Sequence, residues 1–156
     1  MISGEGIPID SVVADFVSGA AETLSPDNDE DHWDVIEGQG SLLNPSYSAV
    51  SLGLLHGSQP DAIVLCHDAE RVETDEVVGD YPIPELDEVI DDALRMARRT
   101  QPKCFCAGVS VNTSKMTDFE RDNYLSKLQS DLGLPCVDPI AIGMTPIASF
   151  LLKYAS

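Results

Sequence analysis

The residues of this chain that could do chemistry recur at the ends of apolar runs. Glu37-Gly38-Gln39-Gly40-Ser41 follows Trp33-Asp34-Val35-Ile36, and His67-Asp68 follows Ala62-Ile63-Val64-Leu65-Cys66. Asn112-Thr113-Ser114 follows the run from Cys104 to Val111, and Asp138-Pro139 follows Pro135-Cys136-Val137. If the runs are parallel strands, all four polar groups lie beyond the strands' carboxyl ends, where α/β sheets bind ligands. The first group is the most informative. A carboxylate followed by two glycines suits Mg²⁺ or a phosphate, because the glycines let backbone approach the ligand. The same pattern also suits a tight strand-to-helix turn with Glu37 solvated, and spacing alone leaves the two open. Glu37 is therefore the candidate catalytic and metal-binding carboxylate, and Gly38, Gln39, Gly40 and Ser41 are candidate cofactor-binding residues.

His56 is a second catalytic candidate. Its plainer reading is a histidine in the last helical turn before Gly57, and no nucleophile lies near it in sequence. His67-Asp68 lacks a third ligand and is weak as a metal site. Asp15, beside the apolar stripe of the first helix, reads as solvated. So does the acidic stretch 27–31, which lacks the glycine and the spaced Glu of an EF-hand loop.

The elements that must position these groups follow from periodicity. Ile9, Val12, Val13, Phe16, Val17, Ala20, Ala21 and Leu24 predict a helix over 9–24, between Pro8 and Pro26. Trp33 to Glu37 reads as a short strand. Asn44-Pro45 caps a helix running to His56, with Gly57 closing it. The continuous apolar run 62–66 predicts a strand buried on both faces. Residues 68–83 form a long acidic loop. Residues 84–100 are the best helix, with acids in its first turn and Arg95, Arg98 and Arg99 in its last. Residues 104–111 predict another buried strand. Thr117 and Glu120 make a capping box for a helix to Leu132, closed by Gly133. A strand at 135–137 and a helix opened by Thr145-Pro146 follow. Helix, then strand and helix four times over, implies an α/β fold with a mostly parallel β-sheet and helices on both faces. The first helix has almost no strand before it; only Met1-Ile2-Ser3 could be its tail.

The chain has 156 residues, 9 Lys plus Arg against 27 Asp plus Glu, and a formal net charge of -18. So acidic a surface repels phosphate backbones and anionic membranes, which argues against nucleic-acid and membrane partners. No apolar run approaches the roughly 18–20 residues of a membrane-spanning helix, and residues 1–6 carry no secretory pattern. Cys66, Cys104, Cys106 and Cys136 sit in apolar runs without zinc-type pairing. They read as reduced, buried thiols, which makes the expected location cytoplasmic. Neither G-x-x-x-x-G-K-[S/T] nor a strand-linked G-x-G-x-x-G occurs, so a self-sufficient nucleotide site is not expected.

Three long segments resemble a known family. They are Asp15-Phe16-Val17-Ser18-Gly19-Ala20-Ala21-Glu22, the run from Asp31 to Leu42, and Gly53-Leu54-Leu55-His56-Gly57-Ser58-Gln59-Pro60-Asp61. Together with Gly133-Leu134-Pro135-Cys136-Val137-Asp138-Pro139, they resemble the DgcN-type D-glutamate N-acetyltransferases. The resemblance implies a two-domain protein, a Rossmann-like domain followed by a P-loop NTPase-like one. On that basis residues 1–156 are a single domain, the C-terminal part of the P-loop NTPase-like unit beyond its Walker A loop. It further implies acetyl-CoA or a nucleotide as cofactor, with Mg²⁺, and an N-terminal domain as partner. A more distant resemblance to dethiobiotin synthetase matches Glu37 to a metal-associated glutamate and Asn112 to a strand-end asparagine that contacts the nucleotide base. The chain alone is expected to be inactive and to form a homo-oligomer, because an unpaired strand edge recruits other chains. The alternative is a truncated, non-catalytic α/β module acting through nucleotide binding or through homo-oligomerisation at an open sheet edge.

Overall fold

Three of the apolar runs pair into one sheet. A computed structural model of the chain describes residues 6–29, 31–73 and 81–154. Within them, α1 spans Val17–Leu24, α2 Ser48–Ser58, β1 Ala62–Asp68, α3 Leu86–Ala97, β2 Phe105–Asn112, α4 Asp118–Leu132, β3 Cys136–Val137 and α5 Thr145–Tyr154. The strand order is β1-β2-β3, and both pairings are parallel. The predicted α/β class with a parallel sheet is what the chain adopts.

Helices cover both faces of that sheet. On one face Ile90 and Leu94 of α3 and Leu125 and Leu128 of α4 pack with Cys106, Val109, Val111 and Cys136. On the other, Ile147, Phe150 and Leu151 of α5 pack with Val64, Phe105, Ala107 and Val137. In β2, residue 106 shares a face with 109 and 111, while 105 and 107 face the other way. A bulge causes this change of phase: Ile63 pairs with Cys106 but Val64 with Gly108. Gly108 is required there because a Cβ would lie 2.5 Å from the Pro135 carbonyl and 2.8 Å from Ile147 Cγ1. The predicted capping box opens α4, Thr117 N donating to Glu120 Oε2 at 2.9 Å, and Gly133 ends it in the left-handed region at φ 65°.

Four sequence expectations need correction. Trp33 to Glu37 carries no ladder pairing, so among the described residues the sheet has three strands rather than four. Trp33, Val35 and Ile36 are 52%, 95% and 46% exposed, because no strand among the described residues pairs with them to take up their apolar pattern. The helix predicted over 9–24 is α1 alone, preceded by 3-10 turns at Ile9–Ser11 and Ala14–Phe16. The β-branched pair Val12-Val13 stays extended between those turns, and Val13 and Phe16 project outward. Gly57 does not close α2; the left-handed residue is Gln59, at φ 46°. Gly57 and Gly53 are helical instead, and side chains there would strike the Ser18 carbonyl and Val17 of α1. Cys66 is exposed, unlike the other three cysteines. Residues 1–3 and 74–80, the suggested strand tail and the middle of the acidic loop, lie outside the described residues.

Candidate functional site

The carboxyl ends of β1, β2 and β3 form a polar crest, and hydrogen bonds between strands fix it. Asn112 Nδ2, at the end of β2, donates to Asp68 Oδ2 at the end of β1, at 3.1 Å. Asp68 Oδ1 accepts from Glu70 N, and Asn112 Oδ1 from Ser114 N, both at 3.1 Å. Each carboxylate or amide thus shapes the turn that leaves its own strand while holding its neighbour.

Asp138, just after β3, is the most committed group of the crest. It is 5% exposed. Its Oδ2 accepts from Thr113 N at 3.1 Å and from Thr113 Oγ1 at 2.5 Å, and its Oδ1 from Ile140 N and Ala141 N, both at 2.9 Å. Burial works to raise this carboxyl, but the Thr113 hydroxyl and the three backbone N–H groups together hold it below the usual carboxylate range. With both oxygens engaged, Asp138 anchors the crest and has little capacity left for a ligand.

A cleft of about 480 Å³ opens beside the β1 end of the crest. Gln39, Gly40, Ser41, the buried Asn44, His67, Asp68 and Arg71 line it together with the more apolar Leu43, Tyr47, Leu65, Cys66, Ile83, Leu86 and Val89. The loop at 39–41 is held in place from α2, where Ser51 Oγ donates to Gly40 O at 2.6 Å. Tyr47 packs so closely on Gly40 that a Cβ there would lie 2.8 Å from the tyrosine Cβ. His67 is half-buried, with Nε2 3.1 Å from the Tyr124 hydroxyl on α4. Burial pushes its imidazole below the ordinary histidine value, against an upward pull from Asp68, so the ring is neutral near pH 7. Burial likewise raises the thiols of Cys104, Cys106 and Cys136, the last to about 11. Those three are packing groups rather than nucleophiles.

The structure therefore gathers some of the sequence candidates and separates others. Gln39, Gly40 and Ser41 line the cleft. Asn112 is one hydrogen bond away from it, through Asp68. Glu37 and Gly38 are exposed on the approach to the cleft and do not line it. His56 lies in the last turn of α2, six residues before the start of β1, with Nε2 3.1 Å from the Met96 carbonyl near the end of α3. That is the amino end of the strands, opposite the crest. No group of three or more His, Cys, Asp or Glu among the described residues is arranged to hold a metal ion. The sequence reasoning missed Arg71, which lines the cleft, and Tyr124, which holds His67. Arg71 had a usable signal, a lone cation soon after a strand in an acidic loop. Tyr124 had none, because its approach to His67 spans 57 residues.

Comparisons with known proteins fit this arrangement. Residues 1–148 match the family described as DUF1611, "Domain of unknown function (DUF1611_C) P-loop domain". The chain is 48% identical over 143 residues to a D-glutamate N-acetyltransferase of Tritonibacter scottomollicae, covering 92% of this chain and 43% of that protein. It is 46% identical over 151 residues to a D-glutamate N-acetyltransferase of a Pseudoalteromonas species, covering 97% of this chain and 45% of that protein. The fold matches the crystal structure of a DUF1611 family protein from Anabaena variabilis with a TM-score of 0.83 and 30% identity, over 98% of this chain and 45% of the other. The chain thus spans less than half the length of each of these relatives.

Proposed function

We propose, from the premise that this chain belongs to the DUF1611 family through its P-loop domain, that it forms the C-terminal portion of an N-acetyltransferase. The acceptor would be D-glutamate and the donor acetyl-CoA. The observation that carries this reading is near-half identity to two D-glutamate N-acetyltransferases along almost the whole chain. In the reaction the amino nitrogen attacks the thioester carbonyl and a C–N bond forms. The C–S bond breaks, coenzyme A leaves as the thiol, and the amine loses one proton. The cleft rim suits the anionic parts of such ligands. Gln39, Gly40 and Ser41 offer backbone, amide and hydroxyl groups, and Arg71 offers a positive charge.

Mg²⁺ commonly binds one or two protein carboxylates and completes its shell with water and ligand phosphates. The exposed Glu37 fits that pattern as a single carboxylate, and Asn112 keeps its proposed place beside a nucleotide moiety. When bound, the ion would neutralise phosphate charge. His56, at the opposite end of the sheet, takes no part in the proposed chemistry. No Walker A loop occurs in these 156 residues, so the phosphate cradle would come from the remainder of the longer polypeptide.

The test is acetyl transfer by the longer protein that carries this chain, read as thiol released from acetyl-CoA with and without D-glutamate. D-glutamate-dependent release is expected, with Glu37→Gln lowering it at least tenfold and Glu22→Gln, on exposed α1 surface, leaving it unchanged. Thiol release indifferent to D-glutamate would overturn the activity. Wild-type turnover in Glu37→Gln would remove Glu37 from the site.

A further inference from the structure

His67 stands where the strand ends meet the cleft. Ile63 and Leu65 of β1 pack on the sheet face covered by α3 and α4. Side chains alternate along a strand, so His67 emerges on that same face, one residue before the end of β1. There its Nε2 lies 3.1 Å from the hydroxyl of Tyr124 on α4, and the residue lines the cleft. Val111, its partner in the ladder, is apolar and fully buried. One ring nitrogen is therefore fixed by a group of this chain. Among the described residues, no group forms a hydrogen bond with the other, Nδ1.

The surroundings suit a ring that takes up a proton and gives it back. Burial favours the neutral imidazole, while Asp68 beside it favours the imidazolium. Arg71 lines the same cleft. The Tyr124 phenol is held protonated by burial, with Cys136 and Glu85 pushing the same way. A phenol oxygen accepts from Nε2–H as readily as it donates to Nε2. With Tyr124 accepting, Nε2 keeps its proton in both charge states and the lone pair sits on Nδ1. Asn44 adds a donor for the ligand. It is 7% exposed and lines the cleft. Its Oδ1 accepts from Ser46 N at 2.9 Å, while its Nδ2 has no acceptor among the described residues. That amide and Arg71 suit the carboxylates of an amino acid.

We propose that His67 is the general base of acetyl transfer, with Nδ1 as its working atom and Tyr124 as its positioning residue. The inference rests on the reading of the longer protein as an N-acetyltransferase. D-glutamate reacts as the free amine. As its nitrogen attacks the thioester carbonyl and the C–N bond forms, Nδ1 takes the proton that the nitrogen loses. As the C–S bond breaks, the imidazolium gives that proton to the departing sulfur. Coenzyme A leaves as the thiol, and His67 ends neutral. Tyr124 touches no reacting atom. It fixes the ring through Nε2, sets the tautomer, and accepts from Nε2–H while the ring is charged.

The test uses the longer protein that carries this chain and reads D-glutamate-dependent thiol release against pH. His67→Gln keeps an amide donor for Tyr124 and removes the base. Its kcat should fall about 100-fold or more, with KM for D-glutamate changed less than about threefold. The acid limb of the kcat/KM profile should disappear with it. Added imidazole should restore part of the turnover of His67→Ala. Tyr124→Phe should lower kcat about tenfold and move the acid limb to lower pH, because the imidazolium loses its acceptor. His56→Gln, at the other end of the sheet, should leave kcat unchanged. Wild-type kcat with an intact acid limb in His67→Gln would overturn the proposal, and so would a Tyr124→Phe enzyme identical to wild type in both. A second readout needs no variant. Diethyl pyrocarbonate acylates neutral imidazole, and mass spectrometry of peptides follows His67 by itself. Modification of His67 should rise through a pKa below about 6.5 and slow when D-glutamate is present. Activity should fall in step with it, and hydroxylamine should reverse both. Full turnover with His67 fully modified would overturn the proposal. Absence of D-glutamate-dependent release in the unaltered protein removes the activity and this role together, whereas normal release that survives loss of His67 removes the role alone.

Discussion

Asp138→Asn should be among the most damaging conservative changes in the crest. The carboxylate takes four hydrogen bonds, two at each oxygen. An amide offers only one acceptor oxygen. With its NH₂ toward Ile140 and Ala141, two backbone N–H groups lose their acceptor. With its NH₂ toward Thr113, the hydroxyl can rotate to accept, but Thr113 N–H cannot. The better orientation still strands one buried donor, at about 1–3 kcal/mol, and weakens the remaining bonds from charged to neutral. A total near 3 kcal/mol would lower Tm by about 6–12 °C at the ~2–4 °C per kcal/mol of a domain this size. Thr113→Val is the comparison. It removes one hydroxyl, leaves every N–H paired, and should cost about 1–2 kcal/mol.

The pH dependence gives a second check on the same residue. The folded carboxyl lies below its unfolded value, so the unfolded chain binds the proton more tightly. Asp138's contribution is then fully present above the unfolded value of about 4 and is lost as pH falls through the folded one. The stability gap between wild type and Asp138→Asn, measured by urea unfolding, should be constant above about pH 5 and shrink below about pH 4. A cost under about 0.5 kcal/mol, or a gap that widens in acid, would refute this account of the clamp.

Other outcomes follow from the same structure. Gly57→Ala places a methyl group on the Ser18 carbonyl; it should lose about 1–3 kcal/mol from overpacking, despite better helix propensity, whereas Gly19→Ala, with open space around it, should not destabilise. His67 is held neutral by burial, so its unfolded form binds protons more tightly. Stability should therefore fall as pH drops from about 6.5 toward the lower folded value, and His67→Gln should flatten that part of the profile. Self-repulsion at a net charge of -18 should make Tm rise from low salt to 1 M NaCl; a steady fall would contradict it.

What was legible in the sequence divides by whether a segment finds a partner among the described residues. The runs at 62–66 and 104–111 were readable because neighbours on both faces reward continuous apolar character. α4 was readable because Thr117 and Glu120 cap it locally, whatever packs around it. The run at 33–37 and the stripe through Val12, Val13 and Phe16 have the same patterns, yet Val13, Phe16 and Val35 stay exposed. A strand signal reports what a segment needs from a neighbour, and it fails where the described residues supply none. At the site, strand-end logic found Asp68, Asn112, Thr113 and Asp138 in advance, because topology alone brings parallel strand ends together. It left His56 undecided, although a helix end that leads into the next strand of a parallel sheet already lies at the strands' amino end.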